Sequence, residues 1–186
     1  MNKKILVCYL FTKFDEINQL TDFINNYKKY PSGINHELLI CFKLIEKNKL
    51  SYLSEHLRDI KYIKFIDISP KNDFDFGSYK RVSEHYLDYD ILFLNSHSYP
   101  ICNDWLMKLV KYKNENNIIG TSGSFESIND SIELKKFYKF FSYLFKKIKF
   151  KRNFAGYPNP HLRTSSFFIN GKSFNEFIKD KTINNK

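Results

Sequence analysis

The sequence predicts a single α/β domain over residues 1–178, with a mostly parallel sheet flanked by helices on both faces and a polar tail at 179–186. Three observations predict it. Strand-like apolar runs alternate with helix-period segments through the first 120 residues, the order that builds βα units and a parallel sheet. The run Asp90–Leu94, DILFL, is almost continuously apolar, as a strand covered on both faces must be. With 186 residues, 42% of them hydrophobic and 18% aromatic, the chain has enough material for one core and too many aromatics for disorder.

Lys4–Phe11 reads as the first strand, rich in Ile, Leu, Val and aromatics. Phe14–Tyr30 is helical, with Ile17, Leu20, Phe23, Ile24 and Tyr27 on one face and Pro31-Ser32-Gly33 as the stop. His36–Leu44 is a second strand. Glu46–Arg58 is a short helix with Leu50, Leu53 and Leu57 inward. Tyr62–Ile68 alternates apolar and polar residues, which suits a strand near an edge. Asp73–Gly77 (DFDFG) reads as a polar loop, Tyr79–Leu87 as a helix and Asp90–Leu94 as the central strand, followed by the turn Asn95–Ser98. Asn103 or Asp104 caps a helix through Tyr112, with Trp105, Leu106, Leu109 and Val110 inward. Asn117–Thr121 is a short strand. The turn Gly120–Ser124 lacks the GxxxxGK[ST] pattern of a phosphate loop. Ser131 to about Phe150 is a long helix, Ala155–Pro160 a loop, Arg163–Ile169 a last strand, and Ser173–Ile178 begins a helix.

Charge is distributed unevenly. Of a formal +10, eight basic residues and no acids fall between Lys135 and Arg152, so basicity is a local device. In that helix Leu134, Phe137, Tyr138, Phe141, Leu144, Phe145 and Ile148 form one apolar face, opposite Lys135, Lys139, Lys146 and Lys149. Two readings stay open: the stripe packs on the sheet with its lysines in water, or residues 134–152 lie on an anionic membrane surface. No recognised nucleic-acid-binding module accompanies the patch, and nucleic acid is not the expected partner. Cys8, Cys41 and Cys102 lack metal-ligand spacing. An odd count and the absence of a signal-peptide pattern predict a cytoplasmic protein, peripheral to the membrane if the basic helix binds it. No apolar run reaches the roughly 18 residues of a membrane span.

The functional signal lies between Asp73 and Pro100. Open α/β sheets bind ligands at the carboxyl ends of their strands, and Asn95-Ser96-His97-Ser98 stands at such an end. One helix upstream, Asp73 and Asp75 suit either the cap of the next helix or a ligand. In a parallel sheet both segments reach one rim and form one site.

Five segments in order, DFGSYKR, DILFLNSHSYP, the tryptophan helix, TSGSFES and YPNPHLRTSSFFI, resemble GT-A-fold nucleotide-sugar glycosyltransferase-like proteins of bacterial surface-polysaccharide loci, over roughly residues 3 to 178. The resemblance implies a GT-A-like, Rossmann-like domain that transfers a hexosyl-type sugar from a nucleotide-diphosphate sugar to a saccharide or lipid-linked acceptor. It implies that Phe11 and Thr12 border the base, that Asp73 and Asp75 lie near base or ribose, and that Lys80 and Arg81 face the diphosphate. Asn95, Ser96 and His97 then occupy the place of an Asp-x-Asp-type motif holding Mn2+ or Mg2+, with His97 and His161 as metal ligands and His161 and Arg163 on the acceptor side. The catalytic base is not identified; Asp104 and Glu126 are candidates only because they are acidic residues that follow neighbouring strands. The turn departs from the pattern in having no carboxylate, which a hard divalent cation bound to phosphate prefers. Three alternatives follow: His97 and His161 hold the metal, or Lys80, Arg81 and Arg163 neutralise the phosphates instead, or the chain is a degenerate GT-A-like binding domain acting with a partner or at the membrane.

Overall fold

A computed structural model describes residues 4–71, 73–114, 118–120, 144 and 165–183. The chain divides into two compact units, Met1–Ile119 with Thr164–Lys186, and Gly120–Arg163. Most of the second unit lies outside the described residues. With it lie the expected basic helix, the Ala155–Pro160 loop, Glu126, His161, Arg163 and most of the Gly120–Ser124 turn.

The described residues form a mixed α/β structure. Its strands are β1 (Lys4–Thr12), β2 (Glu37–Lys43), β3 (Ile63–Asp67), β4 (Tyr89–Leu94), β5 (Ile119–Gly120) and β6 (Ser166–Asn170). They form one sheet in the order β3-β2-β1-β4-β6-β5. The pairs β1–β2, β1–β4 and β2–β3 are parallel, and β6 runs antiparallel to β4. Five helices occur among the described residues: α1 (Ile17–Lys29), α2 (Lys47–His56), α3 (Phe74–Ser83), α4 (Trp105–Tyr112) and α5 (Gly171–Ile183).

Strand periodicity sorts the core into two layers, because alternate residues of each strand face opposite ways. Val7, Tyr9, Phe11, Ile40, Phe42, Leu92 and Leu94 meet Leu20 and Phe23 of α1, Leu50 and Leu53 of α2, and Trp105 and Leu106 of α4. Leu6, Cys8, Leu10, Cys41, Ile91 and Phe93 face the other way, onto Tyr79 and Val82 of α3 and Phe174 of α5. That second layer is largely aromatic: the Phe93 ring lies 4.5 Å from Tyr79, 5.1 Å from Phe167 and 5.1 Å from Phe174, centroid to centroid. Helices therefore cover both faces, as the near-continuous burial of β1, β2 and β4 requires. Among the described residues no helix is long and apolar enough to cross a membrane.

The expected elements that fall on described residues are present, with two corrections that bear on function. The helix after β3 begins at Phe74, so Phe74–Gly77 is its first turn and not a loop; it ends at Ser83 and not at Leu87. Asp75 in the first turn suits the positive end of a helix. Gly77 is the reason this helix tolerates Asp73 where it lies, since a Cβ at position 77 would overlap the Asp73 carboxyl group. The second correction concerns Asp104. It holds the N-cap position of α4 in a left-handed conformation (φ 59°), but its side chain does not cap. The loop before β2 supplies the acceptors: the Asp104 and Met107 amides donate to the carbonyls of Pro31 (2.8 Å) and Ser32 (3.0 Å), and the Trp105 indole N–H donates to the Tyr30 carbonyl at 3.1 Å. Asp104 consequently sits beside the chain entering β2, at the end of the sheet opposite the strands' carboxyl ends.

Candidate functional site at the carboxyl ends of the strands

The chain steps outward from β1 to β2 to β3 with α1 and α2 on one face, then returns across the other face through α3 to place β4 beside β1. That reversal makes the carboxyl ends of β1 and β4 a topological switch point, where open α/β sheets hold their ligands. The residues that leave those two strands are joined across it. Ser96 Oγ donates to Asp15 Oδ1 at 2.6 Å, and Asp15 Oδ2 accepts the Thr12 amide at 2.6 Å. The amide nitrogen of Gln19 lies 3.0 Å from His97 Nδ1. Beneath them the Tyr9 hydroxyl lies 3.2 Å from the Gln19 carbonyl and 3.3 Å from the Ser96 carbonyl, with its ring stacked 4.0 Å from Phe23. Burial pushes the Tyr9 phenol up, and nearby Asp15 and Asp22 add to this, so it stays a neutral strut.

The Asn95–Ser98 turn is tied from both sides. Asn95 Oδ1 accepts the His97 amide at 3.1 Å, the Asn95 amide donates to the Ser165 carbonyl at 3.1 Å, and Ser98 Oγ donates to that same carbonyl at 2.6 Å. Asn95 Nδ2 reaches Asp75 Oδ2 at 3.4 Å. The expected meeting of the two segments on one rim is therefore made through Asp75.

Beside it, at the ends of β2 and β3, lies a charged cluster. The Arg81 guanidinium grips Asp67 with Nε (2.8 Å to Oδ1) and Nη2 (2.6 Å to Oδ2). It also reaches Asp73 with Nη1 (2.7 Å) and Nη2 (3.3 Å). Lys43 pairs with Asp73 as well. Asp67 is buried and accepts further bonds from Ser78 Oγ (2.6 Å) and the Ser69 amide (3.1 Å). Burial alone would raise the Asp73 carboxyl, but the bonds from Arg81 and then Lys43 outweigh it and hold the group down to about 2. The same contest, with Arg81 and Ser78 as donors, leaves Asp67 below the usual carboxylate range.

These positions sort the expected site residues. Asp75, Asn95, Ser96 and His97 come together at the switch point. Thr12 is there too, through its backbone and its Oγ1, which accepts the Phe14 amide at 3.3 Å. The Phe11 side chain is not free to border a base: it is fully buried, edge-on to Phe42 with centroids 6.5 Å apart. Arg81 is likewise turned inward, its fork spent on two carboxylates. Lys80 lies on the same helix with Glu84 4.0 Å away. Asp104 is at the far end of the sheet, and Glu126, His161 and Arg163 lie outside the described residues. Among the described residues no group of three or more His, Cys, Asp or Glu side chains is placed to hold a metal ion.

Sequence reasoning missed Asp15, Gln19, Lys43 and Asp67. Asp67 was within reach: it continues the period-two face of Ile63 and Phe65, so a buried carboxylate at the end of β3 needs a cation. Asp15 and Gln19 carry only the weak signal of polar residues opening an amphipathic helix.

No protein-family profile and no curated protein sequence matches the chain. Its fold is similar to that of solved glycosyltransferase structures. It is similar over 97% of its length to the apo-form glycosyltransferase GlyE of Streptococcus pneumoniae TIGR4, with a TM-score of 0.55 and 14% identity. It is similar over 98% of its length to the apo WbbM bifunctional glycosyltransferase, with a TM-score of 0.51 and 11% identity. The chain spans 38% and 33% of the lengths of those two structures.

Proposed function

We propose that this chain binds a nucleotide-diphosphate sugar at the β1–β4 switch point and takes part in transferring the sugar to a saccharide or lipid-linked acceptor, in the synthesis of a bacterial surface polysaccharide. One observation carries the reading: of the described residues expected at the donor, Thr12, Asp75, Asn95 and Ser96 converge at the switch point, together with His97 of the expected metal turn. In the reaction an acceptor hydroxyl attacks the anomeric carbon, the carbon–oxygen bond to the diphosphate breaks, and the nucleoside diphosphate departs with the electron pair. The protein's contribution is to hold the donor and stabilise the charge that develops on the leaving diphosphate. Asp75 and Asn95 orient it, Ser96 holds the turn in place through Asp15, and of the expected cations Lys80 is the described one whose side chain is not committed to a buried carboxylate. A divalent cation, Mn2+ or Mg2+, would supply further charge compensation, but the described side chains do not form a set that holds one. His161 and Arg163 belong to the acceptor side of the proposal, and residues 134–152 to its membrane-peripheral form.

The second reading is a binding domain without turnover. The inward commitment of Arg81 to Asp67 and Asp73 favours it, because it withdraws a cation that the diphosphate would use. A thermal-shift panel of nucleoside diphosphates and nucleotide-sugars, with and without Mn2+, tests both. At a hundredfold excess over Kd a ligand adds about 2.7 kcal/mol, which for a chain of this size raises Tm by roughly 5–10 °C. A shift with one nucleotide that Asp75→Ala and Asn95→Ala abolish supports donor binding, and no shift with any nucleotide overturns it. Release of nucleoside diphosphate from the bound sugar nucleotide then separates enzyme from binding domain.

A further inference from the structure

His97 stands where a metal-binding carboxylate is expected, and its hydrogen bonds say what it does instead. Gln19 lies in the first turn of α1, and its Oε1 accepts the Glu16 amide at 2.8 Å, half of a capping box. That bond fixes which end of the Gln19 amide faces the amide backbone, so the NH2 group faces His97 Nδ1 at 3.0 Å. An NH2 group only donates, and Nδ1 must accept. A neutral imidazole that accepts at Nδ1 carries its hydrogen on Nε2; the tautomer is assigned from this network. Histidines that ligate metals through Nε2 show the opposite polarity, donating Nδ1–H to a carboxylate or carbonyl. Here Nε2 has no lone pair to offer, and Nδ1 is occupied.

The carboxylates around the turn are committed in the same way. Asp15 accepts from Thr12 and Ser96. Asp67 and Asp73 accept from Arg81. Of the carboxylates placed on this rim, Asp75 has the lightest described engagement, one long bond from Asn95. The turn itself is locked by Asn95 and Ser98 onto the Ser165 carbonyl, so His97 is held on a rigid support while its ring stays exposed.

We infer that this rim recognises a phosphate oxygen directly, through the Nε2–H of His97 as a hydrogen-bond donor set by Gln19, with no divalent cation between protein and ligand. The inference rests on the proposed donor binding for the identity of the phosphate-bearing ligand, but the tautomer and the metal independence are measurable without any nucleotide.

The experiment uses the whole chain with 15N-labelled histidine at about pH 8.5, where an ordinary imidazole is neutral, and inorganic pyrophosphate as the probe. His97 is assigned with His97→Asn. Long-range 15N–1H correlation shows the Nε2–H tautomer, Mn2+ alone leaves the His97 signals unbroadened, and pyrophosphate in EDTA shifts them. His97→Ala weakens pyrophosphate binding about tenfold, the loss of one good hydrogen bond to an anion. In Gln19→Glu the new carboxylate demands Nδ1–H, the tautomer switches, and Mn2+ now broadens His97; this variant keeps the acceptor for the Glu16 amide and so keeps α1 intact. An Nδ1–H tautomer in the wild type, Mn2+ broadening of wild-type His97, or pyrophosphate binding that disappears in EDTA overturns the inference, as does a His97 signal indifferent to pyrophosphate. Pyrophosphate binding in EDTA with no nucleotide bound in any condition leaves this inference standing and removes the donor reading.

Discussion

Replacing Arg81 by Met removes one guanidinium and keeps most of its aliphatic stem, so the change isolates charge from packing. Four hydrogen bonds vanish, two to Asp67 and two to Asp73. Asp67, with 1% of its side chain exposed, is left with Ser78 and the Ser69 amide, and Asp73 with Lys43. Each charged hydrogen bond contributes about 1.5–3 kcal/mol in isolation. The four share one cation and do not add, and stranding a buried carboxylate costs about 3–5 kcal/mol. Because the Arg81 side chain is itself 26% exposed, water offsets part of this, and the lower end, about 3 kcal/mol, is expected. For a chain of this size that lowers Tm by about 6–12 °C at neutral pH. The penalty depends on pH with a defined sign. Asp73 and Asp67 have folded values below the unfolded carboxylate range, so the stability they contribute is full above about pH 4 and is lost as pH falls toward about 2. Calorimetry of wild type and variant from pH 7 down to about pH 2.5 should show the two Tm values converging in acid. A loss under about 2 °C at neutral pH, or a gap that stays constant into acid, would refute the reasoning that this cluster stabilises through ionised pairs.

Gly77→Ala should destabilise, although alanine in a helix ordinarily gains about 0.5–1 kcal/mol over glycine, because the new Cβ displaces the Asp73 carboxyl from Arg81; in an Asp73→Ala background the same change should turn stabilising, and chemical denaturation of the four proteins reads the cycle. Phe93→Ala, deleting a fully buried ring between α3 and α5, should cost about 3–5 kcal/mol by urea titration. Burial pushes the Cys8 and Cys41 thiols up while Cys102 is exposed, so a thiol reagent should modify one cysteine in the native protein and three after denaturation. Burial lowers His36 against a weaker opposing bond to the Ile34 carbonyl, so stability should fall as pH drops through about 6.5, where the unfolded chain takes up a proton that the folded one resists; His36→Gln should flatten that slope in denaturation midpoints measured at about pH 7.5 and 5.5.

What the sequence alone determined here is whatever depends on neighbours in the chain. The β1 and β4 runs, the Ile17–Tyr27 face of α1, the Leu50–Leu53 face of α2 and the edge character of β3 all follow from period and composition. The structure has each of them, because a strand or helix buries a fixed repeat of its own residues. The convergence of Asp75 with Asn95 was legible for a related reason: in a parallel sheet, successive strand ends must fall on one rim. What only the tertiary structure decided is which polar groups are spent and which remain. Nothing in DFDFGSYKR reveals that Arg81 closes on both Asp67 and Asp73, or that Gly77 leaves room for the Asp73 carboxyl group. Nothing near Phe11 marks its ring as core, and nothing near Asp104 places it at the wrong end of the sheet. Those outcomes hang on pairings between residues 14 to 81 positions apart, such as Arg81 with Asp67, Gln19 with His97 and Asp15 with Ser96. A side chain's charge is written in the sequence, but its partner is set by the register of elements that meet only when the sheet has formed.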